Sequence, residues 1–268
     1  MSGLLNANRL MQVPLGIFAQ ALSVAILPTM SLQVAQMDME GLKKTLNFGI
    51  RFVLFLTIPS SVFMMVLALP IVQLILQNGK FHKSDAVFTG WLLIFYCIGL
   101  FAWSAQTVIA RGFYAMKDSR TPAIVGTAVT VLFVIGNVLA LKIFHHGEDS
   151  NLRTCCALAF VTSWAAILNA GVLILLLNEK MKGIHARQLF LSFWKVAFAS
   201  AAMGIVCHFI YDPAYRLLSH FSVVAQSAGT LAICGLAGVA VFGGMAILMK
   251  MEETETLLNL VKKVARRR

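Results

Sequence analysis

The chain has 268 residues, of which 59% are hydrophobic and 12% charged, with a net charge of +11 and a mean hydropathy of +0.82. A soluble domain carries roughly 25% charged residues, so the composition excludes a mostly water-facing surface and points to an all-α, polytopic membrane protein. The basic excess does not mark a nucleic-acid face, because Lys and Arg sit in short loops between apolar runs, where they act as topology signals.

A helix needs about 20 apolar residues to cross ~30 Å of hydrocarbon, and seven segments qualify. The first, Leu4 to Val34, is interrupted by Arg9, Pro14 and Pro28. The second, Phe52 to Leu76, holds Pro59 and Pro70. The third is Ala86 to Ala110, the fourth Thr121 to Leu141 and the fifth Thr154 to Leu177. The sixth, Val196 to Tyr211, is short unless Leu189 to Trp194 extend it, and the seventh is Ser222 to Met249. None alternates as a barrel strand would. Beyond them, Leu257, Leu260, Val261 and Val264 share one helical face, and Lys262, Lys263 and Arg266 to Arg268 would meet anionic headgroups.

The loops divide by charge. Sixteen basic residues lie on one side, in the groups Lys43 to Arg51, Arg111 to Arg120, Lys180 to Lys195 and Lys250 to Arg268. Five lie on the other: Lys80, Lys83, Lys142, Arg153 and Arg216. The positive-inside rule places the larger set, and the C-terminus, in the cytoplasm. The first helix then runs from outside to inside with no cleavable signal peptide before it, so the reading expects a missing segment upstream.

Arg9 is the one strong charge within a predicted span, and burying Arg at mid-bilayer costs roughly 2.5–3.5 kcal/mol on insertion scales. Asn8 and Gln12, four apart, would share a polar patch beside it. The planar guanidinium suits a phosphate, to which it donates two parallel hydrogen bonds. The residues alone leave equal room for an arginine that snorkels to the interface. Prolines 14, 28, 59 and 70 permit kinks. Asn137 and Asn169 read as partners in helix–helix hydrogen bonds, and Ala228, Ala232, Gly235, Gly238, Gly243 and Gly244 as a close-packing surface. The five cysteines and six histidines form no ligand spacing, no acidic pair lies in a span, and no nucleotide fingerprint occurs. The sequence therefore predicts no enzyme, no metal and no cofactor.

Four motifs follow in order: NRLMQVPLGIF (Asn8 to Phe18), LPTMS (Leu27 to Ser31), NGKFHKSD (Asn78 to Asp85) and RGFYAMKDSRTP (Arg111 to Pro122). Together they resemble the C-terminal half of the bacterial lipid II flippase family of MurJ/MviN type, within the superfamily of multidrug, oligosaccharidyl-lipid and polysaccharide exporters. The resemblance implies fourteen spans in a whole protein, two six-helix lobes around a cavity, and two added helices that shape a groove for a lipid tail. The seven spans here would match the eighth to the fourteenth. On that reading residues 1–178 are five helices of the second lobe, 179–188 a cytoplasmic linker, 189–250 the two-helix groove element, and 251–268 a basic amphipathic tail. The last two helices should pack as a pair beside the other five and leave an apolar groove at the junction.

The resemblance also implies a role for Arg9, which matches a cavity arginine that meets the pyrophosphate of a polyprenyl-linked precursor, with Asn8 and Gln12 as its neighbours. Many relatives carry Asp just before that arginine, and some carry Glu three after it. Asn8 and Gln12 replace both, which makes the cavity more positive and puts proton coupling there in doubt. Sodium coupling has no acidic ligand at Asn137. The implied partners are lipid II, membrane lipids and the missing N-terminal lobe, and the implied location is the bacterial inner membrane. The rival readings are another exporter of the superfamily, a truncated non-functional fragment, and a polyprenyl-lipid membrane enzyme, for which the chain shows no cluster of carboxylates or histidines.

Overall fold

The computed structural model describes residues 2–76, 83–144, 150–184, 186–218, 220 and 222–255. Among them every regular element is helical: α1 (Ser2–Pro14), a π-helical segment (Leu15–Gln20), α2 (Ala21–Ala35), α3 (Met39–Val66), α4 (Ala68–Leu76), α5 (Lys83–Cys97), α6 (Leu100–Ala115), α7 (Arg120–Phe144), α8 (Ser150–Lys180), α9 (Ala186–Leu217) and α10 (Val223–Leu248). Six continuous helical stretches are long and apolar enough to cross a membrane, and α5 with α6, bent by 43°, makes a seventh. The chain is a multi-pass membrane protein.

Three expectations change. The second span starts at Met39, not Phe52, because Asp38 caps the helix by accepting from the Gly41 amide at 2.8 Å, and the helix runs through Lys43, Lys44 and Arg51. Arg51 thus lies on a helix, together with Lys43 and Lys44, and not in a loop. That span also ends at Leu67, and 68–76 form the separate helix α4. The sixth span reaches 32 residues because Leu189 to Trp194 do extend it, and only 181–185 remain as a connection before it. The motif segment 77–82 and the tail residues 256–268 lie outside the described residues.

Pro14 and Pro59 act differently. Pro14 has no N–H and its ring clashes with the carbonyl four residues back. The next six residues take the wider π register instead of breaking the helix. Pro59 leaves α3 continuous, with Thr57 and Ser60 bonding the carbonyls of Val53 and Leu56 at 2.8 and 2.7 Å.

The α5–α6 bend frees backbone carbonyls inside the bilayer, where no water can bond them. Ser61 of α3 donates to the Cys97 carbonyl, and Ser163 of α8 donates to those of Phe95 and Tyr96 at 2.7 and 3.2 Å. Gly99 allows that approach: a Cβ there would sit 2.7 Å from the Ser163 Cα.

α3 is the central strut and packs against α2, α6, α9 and α5. One apolar core surrounds Leu42, Leu46, Ile50, Val53, Phe113 and Leu177, and a second surrounds Met11, Met64, Leu92, Leu93 and Leu100. In lipid, such contacts gain from close packing rather than from the hydrophobic effect. α9 and α10 pack on each other and on α3 and α4, with the Cys207 thiol donating to the Cys234 carbonyl at 3.4 Å. α7 leans almost wholly on α8 and turns Ile124, Val131, Leu132, Ile135 and Leu139 outward. All five cysteines are free.

Candidate functional site

The predicted pair on α1 forms. Gln12 Nε2 donates to Asn8 Oδ1 at 2.6 Å, as the four-residue spacing requires. Arg9 lies next to this pair on an exposed face that continues through Val13, Gly16 and Ile17 to Gln20. Among the described residues no carboxylate lies within ion-pair distance of Arg9. The internal amide bond uses one donor and one acceptor, so the face keeps an uncompensated positive charge beside the remaining Asn8 amine and Gln12 carbonyl.

Two turns below Arg9, Pro14 and Phe18 form one wall of a groove of about 1030 Å³. Phe55, Pro59 and Phe63 of α3 form a second wall, and Leu231, Gly235, Val239 and Gly243 of α10 a third. The lining is apolar apart from Ser60 and Thr254. The small residues of α10 divide between two tasks. Gly238 packs on Cys207 and Met203, with a Cβ position 3.2 and 3.4 Å from their nearest atoms. Gly243 and Gly244 would meet nothing within 4 Å, because α10 touches α9 along only one side. They open space rather than close it, which corrects the uniform packing role expected for them.

A small polar cavity of about 190 Å³ lies between α6, α7 and α8, lined by Gln106, Thr130, Thr162 and Asn169 among others. Among the described residues Gln106 Oε1, Asn137 Oδ1 and Asn169 Oδ1 are buried without a hydrogen-bond partner. The helix–helix bonds expected of the two asparagines are thus not made through their carbonyl oxygens. The nearby threonine hydroxyls donate within their own helices, Thr130 to Gly126 and Thr162 to Leu158. No three of His, Cys, Asp and Glu gather at metal-binding distance among the described residues.

Sequence reasoning missed the polar architecture at one end of the bundle. Arg51 donates through Nε to Glu253 at 2.6 Å and through Nη1 to Glu252 at 3.0 Å. Ser192 also donates to Glu253 at 3.0 Å, and Lys195 caps the Met249 carbonyl at 3.2 Å. The signal present was the acidic pair Glu252-Glu253 at the head of an otherwise basic tail. At the same end, the motif RGFYAMKDSRTP proves to be a turn. Lys117 takes φ 59°, with its amide bonded to Tyr114 and that of Asp118 to Phe113, a Schellman ending for α6. Asp118 then caps α7 through the amide and hydroxyl of Thr121, at 3.1 and 2.7 Å, and pairs with Lys180 of α8. The Lys180 ammonium and the Thr121 donors hold the Asp118 carboxyl well below the usual carboxylate range. These contacts bring the basic segments around Lys43, Arg111, Lys180 and Lys250 to one end of the molecule.

A family model described as lipid II flippase MurJ matches residues 1–245. The chain belongs to the lipid II flippase MurJ family. A probable lipid II flippase MurJ of Vibrio cholerae is 30% identical over 255 residues, which is 92% of this chain and 45% of the relative. One of Thermotoga maritima is 31% identical over 253 residues, 94% of this chain and 46% of the relative. A solved structure, lipid II flippase MurJ in an inward closed conformation, superimposes with a TM-score of 0.68 at 26% identity, over 93% of this chain and 47% of that one. The chain spans about half the length of the MurJ relatives it matches. The family is one of flippases, transporters rather than enzymes, and the sequence resemblance therefore identified it correctly.

Proposed function

We propose that the chain is the second half of a lipid II flippase, in which residues 1–178 supply five helices of one lobe and 189–250 a two-helix element for the lipid tail. Residues 179–188, which comprise the end of α8, the turn after it and the start of α9, connect the two, and 251–268 form a basic tail on the cytoplasmic side of the bacterial inner membrane. The observation that carries the reading is the continuity of two unlike surfaces along one helical stretch: the unpaired charge of Arg9, then the apolar groove that begins at Pro14 and Phe18. Lipid II joins a pyrophosphate to a polyprenyl chain, and these surfaces match its two halves in order. Arg9 donates two parallel bonds to the pyrophosphate, with Asn8 and Gln12 beside it, while the tail lies between α3 and α10. A missing N-terminal lobe closes the cavity over the exposed face of α1. Alternating access then moves the headgroup, with no covalent bond made or broken, so the protein is not an enzyme.

The test uses the whole transporter, with the absent lobe restored, in cells depleted of their own flippase. Arg9→Ala should abolish growth support, and Arg9→Lys, which keeps the charge but loses the fork, should impair it partly. Normal insertion of Arg9→Ala with full growth would reduce Arg9 to a snorkelling charge and overturn the site.

A further inference from the structure

A second pocket, of about 320 Å³, lies at the end of the bundle where the basic segments meet. It is far from the groove in character: Lys44, Asn47 and Arg51 of α3, Gln188 of α9, and Glu252 and Glu253 after α10 line it, with Phe48 at its rim. Its volume is about ten times the ~30 Å³ share of a liquid water.

Asn47 is the unusual member. It is 6% exposed, and among the described residues neither its Nδ2 nor its Oδ1 has a hydrogen-bond partner. A buried amide is almost always paired, and the broad χ2 torsion of Asn allows it to turn toward an occupant. The charges lining the pocket balance. Lys44, with no ion-pair partner among the described residues, and Arg51 face Glu252 and Glu253. Arg51 has committed two of its five N–H groups to the carboxylates, and Glu252 is 81% exposed and reachable from solvent. A purely anionic ligand would meet two carboxylates, and a purely cationic one two cations. The lining suits a molecule that carries both charges a few ångströms apart.

The depth of the pocket identifies the source. Exposed Phe48 on α3, and Phe190 and Trp194 on α9, lie within two turns of Arg51 and Ser192 along their helices. Aromatic residues of this kind collect at headgroup level. We propose that this pocket seats the headgroup of a phospholipid with a primary ammonium, from the leaflet that this end of α3 faces. Lys44, Gln188 and the Asn47 amide donate to the phosphodiester, and Glu252 accepts from the ammonium. A choline headgroup has no N–H to give Glu252, and a glycerol headgroup has no positive charge. The site is distinct from the Arg9 face and the apolar groove, so it stands whether or not those carry lipid II.

The test is native mass spectrometry of the full chain, with added dioleoyl phosphatidylethanolamine, phosphatidylglycerol and phosphatidylcholine. The ethanolamine lipid should be retained about tenfold more tightly than the other two, a ratio equal to about 1.4 kcal/mol. Asn47→Leu should remove that preference. Glu252→Gln, at an exposed position, should invert it in favour of phosphatidylglycerol, a change of selectivity that misfolding cannot imitate. Equal retention of the three lipids, or a preference unchanged in Glu252→Gln, would overturn the proposal. So would displacement of the lipid by soluble phosphoethanolamine at equal concentration, since the ligand would then be a free metabolite rather than a membrane lipid.

Discussion

Gly99→Ala adds one methyl group at the bend between α5 and α6, and its cost follows from three distances. The new Cβ would sit 2.7 Å from the Ser163 Cα and 2.9 Å from both its Cβ and Oγ. Ordinary carbon contact is about 3.5–4.0 Å, so α8 must retreat by roughly 1 Å, and the obstacle is backbone rather than a flexible side-chain tip. Such overpacking costs about 1–3 kcal/mol. The retreat also stretches the bonds from Ser163 to the Phe95 and Tyr96 carbonyls, now 2.7 and 3.2 Å. Each is worth about 0.6 kcal/mol in a membrane. The total is about 2–4 kcal/mol, and Ser163→Ala, which removes the bonds without introducing the clash, should cost only about 1 kcal/mol. Unfolding in mixed detergent micelles, followed by far-UV circular dichroism, measures both. If Gly99→Ala unfolds within about 0.5 kcal/mol of the parent, or no earlier than Ser163→Ala, the close approach of α8 is not what holds the bend.

Arg51→Met leaves the buried Glu253 carboxylate, 3% exposed, without its cation, and should destabilise by about 3 kcal/mol in the same assay. Arg51→Met combined with Glu253→Met should recover most of that loss, since neither charge is then left alone. Asp118→Asn should cost only about 0.2–1 kcal/mol at pH 7, because the Lys180 side of the pair is 40% exposed. The folded Asp118 carboxyl lies below its unfolded value of about 3.9, so the contribution is complete above that value and is lost only as pH falls further. The difference between parent and Asp118→Asn should stay constant from about pH 5 to 8 and shrink only below about pH 4. Gly243→Leu enters open groove space where an added Cβ meets nothing within 4 Å. It should change stability by no more than about 0.5 kcal/mol, yet block transport in the assembled flippase by occupying the tail's place. Unfolding together with growth complementation separates the two effects.

The sequence by itself determined what depends on local solvation and short spacing. Apolar runs long enough to cross hydrocarbon set the number of spans, because an unsatisfied backbone in lipid leaves a helix few alternatives. The four-residue interval set the Asn8–Gln12 bond, and the family motifs identified the flippase family. Only the tertiary structure decided which groups met across long stretches of chain. Arg51 and Glu253 are 202 positions apart, and Ser163 and Phe95 are 68 apart. Hydropathy averages over all faces of a helix, so it marked Gly235, Gly238 and Gly243 alike. The side of α10 that α9 covers then made Gly238 a contact and Gly243 an opening. Arg51 read as a loop charge for a related reason: its partner lay at the far end of the chain, and only the fold brings that carboxylate beside it on α3.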